Sequence, residues 1–86
     1  MKPAFEIMDL FYEDEQLIVA GLVFQDIQLD DKLHVKDQIY TIKDIIYFGH
    51  SLDMIERGMT VKLIVDREST LDNFPADAKY AYLVTT

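Results

Sequence analysis

Leu17-Ile18-Val19-Ala20-Gly21-Leu22-Val23-Phe24 is the longest apolar run in the chain. At eight residues it falls far short of the roughly 20 that a membrane-spanning helix needs. Its β-branched residues favour a strand. A glycine inside a strand marks a bulge, or a sharp bend at a barrel corner. Upstream, Ala4 to Tyr12 places Phe5, Ile7 and Phe11 on one parity and Met8, Leu10 and Tyr12 on the other. That pattern fits a strand with a half-buried second face. Glu13-Asp14-Glu15-Gln16 then reads as the polar turn joining the two strands.

Downstream, Asp26 to Lys32 reads as a short strand and a tight turn. Lys32 to Lys36 alternates, with Leu33 and Val35 inward and Lys32, His34 and Lys36 outward. Asp37-Gln38 is the expected turn. Ile39 to Phe48 is a longer strand whose parity slips between Ile42 and Ile45, as a bulge or bend would produce. Gly49 to Gly58 is expected to be a loop with one helical turn, capped by Ser51 and ended by Gly58. Met59 to Asp66 alternates again, with Val61, Leu63 and Val65 on one parity. Arg67 to Ala78 reads as a long connection and Lys79 to Thr86 as the last strand. Short strands at regular spacing predict an all-β fold, a small closed barrel of six or seven strands. Residues 1–86 are expected to form a single domain. The expected core is Ile7, Val19, Val23, Leu33, Val35, Ile42, Val61 and Leu63. Phe5, Phe11, Phe24 and Phe48 are also expected to be mostly core. Tyr12, Tyr40, Tyr47, Tyr80 and Tyr82 are expected at edges and contacts, because a tyrosine favours one wet end.

Charge is distributed unevenly. The net charge is −8, and Pro3 to Asp31 holds eight acidic residues and no Lys or Arg. From Lys32 onward acids and bases nearly balance. Phosphate backbones are bound by clustered cations, whereas Lys32, Lys36, Lys43, Lys62, Arg67 and Lys79 are scattered singly. DNA is therefore not an expected ligand. The N-terminus lacks the apolar stretch and cleavage site of a secretory signal, so the expectation is a cytoplasmic location and no membrane association.

The chemistry-bearing residues point away from catalysis. Without cysteine there is no disulfide, thiolate metal site or cysteine nucleophile. His34 lies between lysines and His50 has only Asp53 nearby, so no third metal ligand declares itself. Asp30-Asp31 suits turn chemistry, and no calcium-loop or phosphate-loop spacing is present. Ser51 follows His50 but is not framed as a nucleophile elbow. The expectation is a protein that is not an enzyme, with no catalytic residue, no cofactor and no metal.

Three stretches together resemble a known family. They are Lys2-Pro3 leading through Phe5-Glu6-Ile7-Met8-Asp9-Leu10-Phe11 into Leu17 to Val23, then Ile27 to Val35, then Phe48-Gly49-His50-Ser51-Leu52-Asp53 with Gly58, Val61 and Leu63. In this order, over about residues 2–66, they resemble the second, β-barrel domain of elongation factor Tu and other translational GTPases. The resemblance implies a small closed barrel of that type, here free-standing, which serves in that family as an accessory module contacting tRNA or the ribosome. The chain departs from the family pattern where polar contacts belong. Ile46 stands at the position of the acceptor-pocket glutamate, Leu22 where an arginine is common, and Gly49 and His50 where basic residues are common. Core positions are kept and ligand positions are not.

Two functional expectations follow. The first is a non-catalytic binding module whose acidic face meets a basic protein partner, as an inhibitor or immunity protein masking a basic active site would. Its candidate contact residues are Glu13, Asp14, Glu15, Phe48 and His50. The second, carried by the resemblance, is a ribosome- or RNA-associated accessory protein, with Lys32, Lys36, Lys43 and Lys62 gathered into a local cationic face. A small-ligand site on the barrel wall near Ile46, Phe48 and His50 ranks below both.

Overall fold

A computed structural model of the chain describes residues 2–14, 16–67 and 77–84. Within them lie nine strands and no helix: β1 (Phe5–Glu13), β2 (Gln16–Val23), β3 (Ile27–Gln28), β4 (Lys32–Val35), β5 (Gln38–Tyr47), β6 (His50–Leu52), β7 (Met54–Ile55), β8 (Thr60–Arg67) and β9 (Tyr80–Leu83). The main sheet runs β4-β9-β1-β2-β8-β5, and β4 also pairs with β5. This second pairing closes a six-stranded antiparallel barrel and removes its edges. β6 is an extra strand on β5, and β3 pairs with β7 as a separate ribbon.

Two irregularities allow so small a sheet to close. The β1–β2 register slips between Ile7 and Asp9, leaving Met8 as the extra residue. Gly21 lies opposite Ile7, and a Cβ built there would stand 1.9 Å from the Glu6 carbonyl oxygen. The glycine thus admits close approach of the neighbouring strand, and the bulge itself sits on that neighbour rather than at Gly21. The second slip, between Ile42 and Asp44, makes Lys43 the extra residue of β5 and carries the parity change expected there.

The core fills the barrel. Val19, Val23, Leu33, Val35, Ile42, Val61 and Leu63 are buried as expected, together with Phe5, Ile45 and Ala81. Ile7 is partly buried and packs against them. Ile27 of β3 and Ile55 of β7 face each other across their ribbon and join the same cluster.

Several expectations are corrected. Tyr40 is fully buried rather than at an edge, with its hydroxyl donating to Gln38 Oε1. That bond satisfies the one polar atom that would oppose burial. Phe48 is 84% exposed and Phe24 is also exposed, because Phe48 falls in a hairpin turn and Phe24 just past the end of β2. No helical turn forms between Gly49 and Gly58. β6 pairs there with the half of β5 beyond Ile45, which has left β4, and Ser51 donates to the Asp44 carboxylate rather than capping. Gly58, with φ +94°, ends the return into β8. The β4–β5 turn is Lys36-Asp37, with Gln38 already paired to Val35 and Lys36 at φ +55°. Glu15 and residues 68–76 of the expected 67–78 connection lie outside the described residues, as do 85 and 86 of the last strand.

Candidate protein-docking wall

The strand register determines where each acidic and aromatic candidate falls. Glu13 and Asp14 occupy the tip of the β1–β2 hairpin, where Glu13 pairs with Gln16 and Asp14 has φ +52°. Phe48 and His50 belong to the β5–β6 hairpin, where Tyr47 pairs with His50 and Phe48-Gly49 make the turn. The two tips are not together. The β1–β2 tip adjoins the Leu17↔Val65↔Ile42 level of the barrel, and the β5–β6 tip lies beyond the Ala20↔Lys62↔Ile46 level. They are opposite ends of one wall formed by β1, β2, β8 and β5.

The outward side of that wall is not a simple polar surface. One row across it reads Phe11, Ile18, Ile64, Asp44, and the next reads Asp9, Ala20, Lys62, Ile46. A third pairs Glu6 with Leu22 and Leu22 with Thr60. Phe11, Ile18, Ile64, Ala20, Ile46 and Leu22 thus form an outward apolar strip. Ile18 is buried there yet stands outside the main core cluster. Sequence reasoning missed this strip, although its signal was present: β2 is apolar on both parities, which a strand with one solvated face is not. Lys62 interrupts the strip between Ala20 and Ile46, and its ammonium lies 5.6 Å from the centre of the Phe11 ring, a cation–π contact.

Seven of the carboxylates fall into two groups. Asp26 and Asp31 hold turns: Asp26 Oδ1 accepts from the Arg57 N–H at 3.0 Å and Asp31 Oδ2 from the Gln28 N–H at 2.9 Å. These serve the fold. Around the wall stand Glu6, Asp9, Glu13, Asp44 and Asp66. Asp9 accepts from the N–H of Leu10, and Asp44 from Ile45 N–H and the Ser51 hydroxyl. None of the five forms an ion pair among the described residues.

Of the four lysines expected to gather, Lys32 lies on β4, Lys43 on β5 and Lys62 on β8, with Lys36 in the β4–β5 turn. Lys36 is engaged by Asp77 at 3.1 Å, and Lys62 by the Phe11 ring. Lys36 Nζ, with a backbone N–H and its own positive charge, holds the Asp77 carboxyl below its ordinary 3.8. His34 points outward on β4 and His50 is exposed. Among the described residues no three His, Asp or Glu side chains are placed to hold a metal ion.

Two hollows mark the wall. One, of about 350 Å³, lies toward the β1–β2 tip between Tyr12, Gln16, Lys43, Ile64 and Asp66. The other, of about 310 Å³, is more apolar and lies toward the β5–β6 tip between Ala20, Ile46, Phe48, Gly49, Thr60 and Lys62. Core residues reach both, Leu17 and Val65 the first and Val61 the second. No protein-family model matches the chain, and no curated protein matches its sequence.

Proposed function

We propose that this barrel is a non-catalytic binding module whose β1-β2-β8-β5 wall receives a basic segment of another protein. One observation carries the reading. An outward apolar strip, from Phe11 through Ile18 and Ile64 to Ile46, is bordered by five carboxylates that no cation of the described chain pairs. Apolar area supplies affinity in such contacts, and complementary charge supplies steering and discrimination. The net charge of −8 extends the same preference to long range. Five of the eight acids of the N-terminal third divide the work: Asp26 and Asp31 hold turns, while Glu6, Asp9 and Glu13 look outward from β1.

Affinity capture from the native host, at low and at high salt, tests the reading. Both protein and RNA are recovered, from the parent chain and from a Glu6→Gln/Asp9→Asn/Glu13→Gln variant. A basic protein retained by the parent, released at high salt and poorly retained by the variant is the expected result. The exposed charges responsible are screened over about 3 Å at 1 M salt, against about 10 Å at 0.1 M. A partner held equally by parent and variant overturns the charge argument. Ribosomal RNA recovered in place of a basic protein would favour an accessory role on the ribosome.

A further inference from the structure

Phe48 combines two features that the barrel itself does not require. Its backbone lies in the left-handed region, at φ +50°, where a turn residue is ordinarily Gly, Asn or Asp. Its side chain is 84% exposed, although it is among the largest apolar groups in the chain. Asparagine would make the same turn with less strain and no exposed ring. Strained backbone and a solvent-facing aromatic at one residue point to a role outside folding. The ring is also held in place, because Tyr47 meets it edge-on with centroids 4.6 Å apart.

Beside Phe48 lies the hollow of about 310 Å³ floored by Ala20, Ile46 and Thr60. No carboxylate lines it, but three occupy nearby register positions on the same wall. Asp9 is directly across from Ala20, Asp44 precedes Ile46 on β5, and Glu6 heads the row that ends at Thr60. Lys62 also lines the hollow, but its ammonium is drawn toward the Phe11 ring.

We propose that Phe48 and this hollow anchor one aliphatic side chain of the partner segment, while Lys or Arg residues flanking that side chain meet Asp9 and Asp44. The inference rests on the function proposed above and gives it a location and a recognition rule. The charge pattern selects the occupant. A second copy of this chain would bring the same carboxylates face to face, and an anionic bilayer would be repelled by them. A basic segment with an apolar residue at its centre satisfies both halves of the site. A hollow of this volume takes one or two side chains and does not accommodate a whole helix.

A library of random linear peptides displayed on phage, selected on the folded full chain, supplies the probe. Enriched peptides are synthesised and their association and dissociation rates measured. The expected peptides carry Leu, Ile, Val or Met between Lys or Arg residues. Phe48→Asn is expected to weaken them by roughly thirty-fold, the size of a hot-spot truncation, through faster dissociation. The same substitution is expected to raise the melting temperature, because it relieves the turn. Ile46→Asp is expected to weaken binding similarly, and Asp9→Asn/Asp44→Asn to slow association and flatten its salt dependence. Peptides indifferent to both Phe48→Asn and Ile46→Asp, but sensitive to Glu6, Asp9 and Glu13, would overturn the anchor and leave the acidic wall standing. Anchor-dependent peptides with no basic residue would instead overturn the acidic-wall reading. A lower melting temperature for Phe48→Asn makes the ring structural and ends the proposal, as does a selection that yields no binder.

Discussion

Replacing Gly21 by alanine adds one methyl group at the tightest contact described in the barrel. The new carbon would stand 1.9 Å from the Glu6 carbonyl oxygen and 2.8 and 2.9 Å from two ring carbons of Phe5. Cβ atoms in folded proteins essentially never come within 3.0 Å of such neighbours, so the strands must part. The strand that must yield is β1, at Phe5 and Glu6. These two residues lie in the β1–β9 seam, paired with Ala81 and Tyr80 and flanked by the backbone bonds from Ala4 N–H to Ala81 and from Ile7 N–H to Lys79. Overpacking a tight site costs about 1–3 kcal/mol, sometimes more. Weakening one or two seam hydrogen bonds adds about 1 kcal/mol each. Against this, removing a glycine from a strand interior gains only about 0.5–1 kcal/mol. The net expectation is a loss of roughly 2–4 kcal/mol. A chain of this size has a total stability of roughly 4–13 kcal/mol, so the change is large. The melting temperature should fall by roughly 10–25 °C, at about 4–8 °C per kcal/mol.

Urea unfolding reads this directly. The chain has no tryptophan, so tyrosine fluorescence and far-ultraviolet circular dichroism are the signals, with buried Tyr40 as an internal reporter. The midpoint should fall while the slope stays constant, since the unfolded state is unchanged. Gly49→Ala and Gly58→Ala serve as controls. They have φ +80° and φ +94° with nothing near the added carbon, so only backbone strain of about 1 kcal/mol is expected. Intrinsic strand preference alone would rank Gly21→Ala as the stabilising member of the three. If Gly21→Ala proves as stable as the parent, or more so, the close approach of β1 is refuted, and the account of barrel closure with it.

Other outcomes follow from the same packing. Val61→Asp should abolish cooperative melting, because an unpaired charge buried in β8 costs several kcal/mol, comparable to the stability of the whole chain. A sharp thermal transition in that variant would show that the β8 parity is wrong. Tyr40→Phe, which removes the donor to Gln38, should lower stability by about 1 kcal/mol without disturbing the fold, as measured by urea unfolding. The Asp77 carboxyl, held down chiefly by the hydrogen bond from Lys36, should titrate below 3.8 by NMR and return toward it in Lys36→Met. Its folded-state value is depressed, so the pair's contribution is complete above the unfolded value and is lost as pH falls through the folded one. Both partners are largely exposed, so this is a titration effect with little consequence for stability near neutral pH.

How much of this could be read in advance depends on whether a residue's position is decided by its own strand or by its neighbours. Leu33 and Val35 alternate with charged residues, and Val61, Leu63 and Val65 alternate along β8; each strand carries enough period-two contrast to declare its inward face. The slip between Ile42 and Ile45 was visible for the same reason, since a bulge breaks a period within one segment. Tyr40 shares its parity with Ile42, so β5 itself declares it inward; the expectation of an edge rested on its hydroxyl, which finds an acceptor in Gln38 two residues away on the same strand. β6 and β7 were hidden. Leu52 and Ile55 have helical spacing, and only the partners that the fold supplies, β5 beyond Ile45 for β6 and β3 for β7, make those residues strands. The wall was half visible. Apolar residues on both parities of β2 could have warned that its outer face is not ordinary surface, yet the ring of acids around it comes from three different strands. Phe48 shows the limit most clearly. As a letter between Tyr47 and Gly49 it looks like core, and only the hairpin geometry turns it outward and strains it. Local pattern reports what each strand buries, whereas a binding surface is assembled from what several strands decline to bury.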